Sequence, residues 1–367
     1  MISLPPLSLY VHYPWCVKKC PYCDFNSHEN LPYEGYVNLL KNDLKDSLAY
    51  IQNRKIRSIF FGGGTPSIMP TEELEDLIIF LKNELDFAEG IEITLEANPG
   101  TFEIDKFKSF HDVGINRLSI GVQSFNNQEL ERLGRIHNSE DAKLACNEAR
   151  KIFDNINIDI MYGLPEQSFE INQSNIETAL SYSPDHISYY QLTIEPNTYF
   201  HKYPPKLPSN ESVFNYGSIG QRIIEGSGLR RYEVSAYGQE SRHNLNYWLF
   251  GDYIGIGAGA HGKITSTIEN KVFRTLKNKS PKDYYKDQSS KLTYIENLTF
   301  DFMLNALRLK DGFEIDLFEK RTGIEFNSIE KNIQVAIDKS LLKINNTRVG
   351  PTPQGYDFLN DLQEIFL

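Results

Sequence analysis

Six short apolar segments, at residues 7–12, 59–61, 91–95, 117–120, 156–160 and 186–192, alternate with longer amphipathic ones. That alternation limits the fold more than any other feature. Strands separated by helix-length segments cannot be joined by tight turns, so they predict a parallel sheet with helices outside it. The helical stretches follow the expected spacing. Residues 33–51 place Tyr36, Leu40, Leu44, Leu48 and Ile51 on one face, and residues 71–85 carry Glu72 and Glu73 in the first turn, where acidic groups oppose the helix dipole. Further helices are predicted at 103–114, around Glu129, at 139–152 and at 171–180.

Beyond Pro196 the rhythm breaks. Pro204, Pro205 and Pro208 mark a loop, followed by a helix to about Gly226, a strand at 231–235 and a glycine-rich run at 255–262. The last 70 residues read as three helices, a hairpin around Asn345 and Asn346 and a final helix. That order is similar to a winged helix. Residues 298–367 hold 8 Lys or Arg against 11 Asp or Glu, and the whole chain carries a net charge of −11. A basic face for nucleic acid is therefore not expected. No run approaches the roughly 18 apolar residues of a membrane span, and the first residues lack a basic start and a cleavage site, so a cytoplasmic location is expected.

Three of the four cysteines, Cys16, Cys20 and Cys23, fall within eight residues as C-x3-C-x2-C. This spacing suits a metal centre better than a disulfide framework. Pro14 and Pro21 oppose a continuous helix, leaving the thiols on a loop after the first strand. Structural zinc takes four ligands, and His12, Asp24 or His28 could supply a fourth. A [4Fe–4S] cluster held by three thiolates instead keeps one iron open to a small molecule. Cys146, beside Ala145 and Ala149, reads as a buried small hydrophobe.

Polar groups recur where the strands end: Gly62-Gly63-Gly64-Thr65 after the second, Glu96 at the third, Gln123 after the fourth with Arg135 beyond it, and Asp159 at the fifth. The carboxyl ends of parallel strands converge on one rim, where such sheets and barrels bind ligands. The glycines would let the backbone approach a ligand closely.

The cysteine motif at the end of a first strand resembles the signature of the radical S-adenosylmethionine (SAM) superfamily. The surrounding stretch, including residues 116–123, is similar to the oxygen-independent coproporphyrinogen oxidase group within it. The resemblance implies a partial (β/α)6 TIM-type barrel, an α/β fold, followed by a small winged-helix-like α+β domain. It implies a [4Fe–4S] cluster on Cys16, Cys20 and Cys23, with SAM on the open iron as the source of a 5′-deoxyadenosyl radical. SAM contacts carried over by position are Tyr10, Tyr22, Gly63, Gly64, Thr65, Glu96, Gln123, Arg135 and Asp159. The expected division is a core at 1–235, a connecting segment at 236–290 and a terminal domain at 291–367.

Three departures separate this chain from the oxidases of that group. Phe25 stands where they carry a fourth cysteine, only 15 residues precede Cys16, and residues 243–248 resemble the H-N-x-x-Y-W motif of a heme-chaperone branch. That branch implies heme as cargo, membrane-associated respiratory haemoproteins as clients, and a homodimer when loaded. A neutral imidazole can ligate heme iron, which makes His243 a candidate ligand, with Tyr247 and Trp248 as flat apolar surface and His261 as a weaker candidate. The alternatives are an oxidase that decarboxylates coproporphyrinogen III, a zinc-stabilised scaffold, and, for His243, an ordinary loop residue with Trp248 as the loop's anchor.

Overall fold

A computed structural model describes residues 1–29, 32–100 and 104–367. Six parallel strands occur where the alternation predicts them: β1 (Leu7–Tyr13), β2 (Ile56–Gly63), β3 (Phe87–Ala97), β4 (Arg117–Gln123), β5 (Ile156–Tyr162) and β6 (His186–Gln191). The predicted helix start at Glu103 lies outside the described residues; the helix after β3 is described from Phe107–Val113.

The sheet is larger than the sequence suggests. Beyond β6 it continues antiparallel through β8 (Ala236–Gly238) to β7 (Arg231–Glu233). On the other side β9 (Asp252–Ile256) pairs parallel with β1. From β9 the sheet extends antiparallel through β10 (His261–Ser266), β11 (Lys271–Leu276) and β12 (Lys291–Tyr294). The twelve strands run from β12 to β7 without joining, so the barrel is open. The glycine-rich run forms the end of β9, a turn and the start of β10. A Cβ on Gly255 would run into the His261 carbonyl, so these glycines serve close strand packing.

Side-chain alternation separates two environments. Leu9, Val11, Ile59, Phe61, Leu95, Leu118, Ile120 and Ile158 face outward and join one apolar cluster with helix residues such as Leu40, Leu77 and Ala145. Cys146 is fully buried in that cluster, as the sequence suggests. The intervening residues face the concave side and are mostly polar: Ser8, Tyr10, Ser58, Glu92, Glu96, Arg117, Ser119, Asn157, Asp159 and His186. Barrel interiors are usually packed with branched apolar residues. A polar interior lined by buried Glu92, Arg117, Asn157 and His186 is one built for ligands.

The C-terminal domain packs a three-stranded sheet, β13 (Phe313–Glu314), β15 (Arg348–Pro351) and β14 (Leu342–Asn345), against helices Leu298–Ala306, Ile315–Thr322 and Glu330–Asp338. Its core contains Phe302, Phe313, Phe318, Ile333 and Leu362, and Phe250 from the preceding segment packs into it. The hairpin turns at Asn346, whose φ of 54° suits asparagine.

Candidate functional site

The cysteine loop leaves the end of β1 and is closed at its base. The His28 N–H donates to the Pro14 carbonyl at 2.8 Å, and the Cys16 N–H donates to the His28 carbonyl at 3.1 Å. Trp15 anchors the base edge-on against Tyr36, with ring centres 4.5 Å apart. Cys16 is buried, whereas Cys20 and Cys23 are half-buried. Burial pushes the Cys16 thiol up to about 11 and raises Cys23, favouring the neutral thiol. A thiolate here therefore needs positive charge nearby, which bound iron and the Arg135 guanidinium, 3.7 Å from Cys20 Sγ, would both supply.

Three thiols on one loop with a cation beside them suit a cluster that leaves one iron open. Among the described residues, no three His, Cys, Asp or Glu side chains gather closely enough to hold a single ion. His12, one candidate for a fourth zinc ligand, engages both ring nitrogens, Nδ1 with Tyr10 Oη and Nε2 with the Asn26 carbonyl, each at 2.9 Å.

The strand ends bring the predicted SAM contacts to the same side. Arg135 joins them to the loop: its Nη2 donates to Asn98 Oδ1 at 2.7 Å and to the Gly121 carbonyl at 2.6 Å. Tyr22 lies against Cys20 and Arg135, its hydroxyl pKa raised by burial. Gln123 has φ of 68° at a register slip between β4 and β5, and its Oε1 accepts from Tyr190 Oη at 2.7 Å. A left-handed glutamine at the end of a strand is the kind of strain that ligand sites retain.

Glu96 is pushed up to about 8, first by burial and then by Asp159. Asp159 is also raised by burial, against hydrogen bonds from Asn157 and Ser119.

The glycine tract is tied into the chain through its amides. Gly63 N–H donates to Glu96 Oε2 at 3.3 Å, Gly64 N–H to the Tyr13 carbonyl at 2.8 Å and Thr65 N–H to the Trp15 carbonyl at 2.7 Å. All three amides are thus committed within the chain, two of them to the root of the cysteine loop. Thr65 Oγ1 in turn accepts from Asn98.

Sequence reasoning did not single out Arg117. It is 2% exposed on the concave face, its Nε has no partner, and among the described residues no ion pair reaches it. Its charge pulls Glu96 and Asp159 down and disfavours protonation of His186 and His243. A cation at an inward position of a strand was the available signal.

The structure separates the heme candidates. His243 lies beneath the amino ends of β1–β3, away from the cysteines. It is buried, with Nδ1 3.0 Å from Ser58 Oγ and Nε2 2.7 Å from Tyr247 Oη. Glu92 accepts from the Arg242 and His243 amides at 3.1 and 3.2 Å, fixing the helix Arg242–Trp248 across the barrel floor. Burial and Arg117 lower the His243 pKa to about 3. His261 is exposed at the start of β10, on the cysteine side. The turn before it is tied to the loop by Asn26, whose Nδ2 donates to the Ala258 and Lys279 carbonyls at 2.9 Å. Burial, with Lys279 and Arg274, lowers its pKa and so favours the neutral, ligating form.

Residues 10–173 match the radical SAM superfamily, and residues 296–358 match the HemN C-terminal domain. The chain is 44% identical over 382 residues to the heme chaperone HemW of Haemophilus influenzae, covering 100% of this chain and 99% of that one. It is 42% identical over 377 residues to heme chaperone HemW of Escherichia coli, with 100% of both covered. Among solved structures, coproporphyrinogen III oxidase (HemN) from Escherichia coli, a radical SAM enzyme, superposes with a TM-score of 0.84. That match covers 99% of this chain and 90% of that one at 21% identity, a likeness of fold.

Proposed function

We propose, since the chain belongs to the heme chaperone HemW family within the radical SAM superfamily, that it binds heme and passes it to membrane-associated respiratory haemoproteins. Cys16, Cys20 and Cys23 would hold a [4Fe–4S] cluster and leave one iron to SAM. The cluster and SAM together supply one-electron reductive cleavage of a sulfonium. Around them, Glu96 and Asp159 offer carboxylates to the cationic nucleotide, while Gln123 and Tyr10 shape the same wall. Arg135 holds the cysteine loop to the ends of β3 and β4, and its guanidinium is the observation that carries this reading.

In this reading residues 1–235 form the core, 236–290 the connecting segment and 291–367 the terminal domain, and the loaded form is a homodimer. The chain acts in the cytoplasm, docking on its clients rather than inserting; no helix of the described residues is long and apolar enough to cross a membrane. Of the two imidazoles, His261 can reach heme as it stands, whereas His243 would first give up Ser58 and Tyr247.

Anaerobic reconstitution followed by heme transfer to an apo acceptor tests the function. Brown, iron-loaded protein that hands over heme is expected. Colourless, iron-poor preparations would overturn the cluster, and loaded protein that transfers no heme would overturn the chaperone role. Sustained conversion of coproporphyrinogen III would favour the oxidase instead.

A further inference from the structure

A cavity of about 120 Å³ opens between the helix Arg242–Trp248, β9–β11 and the first helix of the C-terminal domain, lined by Tyr247, Trp248, Tyr253, Lys263, Arg274 and Asn305, among others. Its volume is about four times the share of one water in the liquid. That is roomy for a single bridging water and far too small for a porphyrin.

Its chemistry is aromatic and cationic in a chain of net charge −11. Tyr247 and Tyr253 pack edge-on at 4.4 Å, and the Lys263 ammonium lies 4.2 Å from the Phe250 ring centre. Lys263 Nζ shares one carboxylate, that of Asp252, with Arg54, at 3.0 and 2.7 Å. Arg274 is paired with Asp301 at 2.8 Å. Arg321 and Arg274 both add positive potential at Lys263, and Arg321 has no ion pair among the described residues. Cations thus outnumber carboxylates around the cavity. The Trp248 Nε1–H, on its wall, is buried with no acceptor among the described residues. A buried donor without a partner is costly, and an anion would satisfy it.

Strand register adds a second element. Lys263 pairs with Tyr253 and Arg274, placing these three on one face of the sheet. His261 stands two residues before Lys263 and so shares that face, roughly 7 Å along it, and it is exposed. Opposite His261 on β9 lies Gly255, which has no side chain.

We infer that this face is a carboxylate-anchored ligand site: the cavity takes a carboxylate on a short alkyl arm, and the His261 imidazole meets a metal carried by the same ligand. This rests on the heme reading above, because heme is such a ligand, with a propionate as the arm. A free small carboxylate is the other source of the same chemistry.

Propionate titrated into the intact chain is the first probe. The chain has two tryptophans, so its two indole N–H resonances can be told apart by Trp248→Phe. Propionate is expected to move the Trp248 signal and leave that of Trp15 in place, and Arg274→Gln is expected to abolish the shift. A Trp248 resonance indifferent to propionate would overturn the pocket without use of any variant. Heme and heme dimethyl ester are then compared. Heme binding at least about tenfold tighter, with that preference lost in Arg274→Gln and Trp248→Phe, identifies the propionate. Equal binding of acid and ester alongside a propionate shift assigns the pocket to a free carboxylate and overturns the heme-anchoring part. His261→Ala is expected to change the visible spectrum of bound heme; an unchanged spectrum overturns its role as ligand. Failure of wild-type protein to bind heme at all would sink the functional reading, while the propionate shift still decides the pocket.

Discussion

Gly62 and Gly64 stand two residues apart in one tract, and alanine at each should fail in a different way. A Cβ on Gly64 would lie 2.6 Å from the Trp15 carbonyl carbon and 3.0 Å from that of Pro14, whereas ordinary contact begins at 3.4 Å. The shortfall of 0.8 Å is against main chain, so the base of the loop carrying Cys16 has to move. Overpacking of this kind costs about 1–3 kcal/mol, and the displaced element is the one that bears the thiols. A Cβ on Gly62 would instead meet only side chains, Tyr10, Phe60 and Glu96, at 3.0 to 3.2 Å, and these can rotate. Gly64→Ala should therefore lower iron bound per chain after anaerobic reconstitution, with a weaker visible charge-transfer band. Gly62→Ala should keep its iron and bind SAM less tightly, by roughly tenfold for about 1.4 kcal/mol. Full iron loading and wild-type SAM affinity in Gly64→Ala would refute the assignment of this glycine to the cysteine loop.

Glu96, whose pKa is about 8, should make SAM binding tighten as pH rises through that value, and Glu96→Gln should flatten the profile in calorimetric titrations. Asp252→Ala would leave Lys263 and Arg54, 4% and 10% exposed, without their carboxylate. A loss of about 3–5 kcal/mol is expected in urea unfolding. Because the folded pKa of Asp252 is depressed, its stabilisation is present above the unfolded carboxylate value of about 3.9 and is lost as pH falls through the lower folded one. His243 acts with the same sign over a higher window: its pKa falls from 6.5 to about 3 on folding. The unfolded chain binds the extra proton between those values, so stability declines as pH drops from 6.5 toward 3. Tm measured across that window should fall less steeply in His243→Gln.

The parallel core was legible because its strands are separated by helices whose apolar spacing is unambiguous, and because the polar residues at their ends break an otherwise apolar pattern. Cys16, Cys20 and Cys23 stood out by spacing alone. The extension from β9 to β12 was not legible. Gly255, Gly257, Gly259 and Gly262 read only as a glycine-rich run in a connecting segment, and their function in close packing depends on partners, His261, His12, Asn26 and Thr275, that only the folded chain brings close. The place of His243 was equally hidden. A motif on a short helix does not reveal which end of the barrel that helix covers, and the two hydrogen bonds that occupy the imidazole come from Ser58, 185 residues away, and from Tyr247 one turn on. Arg117 was read as the start of a strand; its isolation follows from alternation across β4 combined with the absence of an acidic neighbour in register.

With the helix Arg242–Trp248 across its floor, the barrel is covered at the amino ends of its strands and open at the cysteine side and along the unjoined edge between β12 and β7. A cargo seated near His261 would share the cysteine side with a nucleotide bound at the cluster, so the two ligands would meet at one end of the barrel.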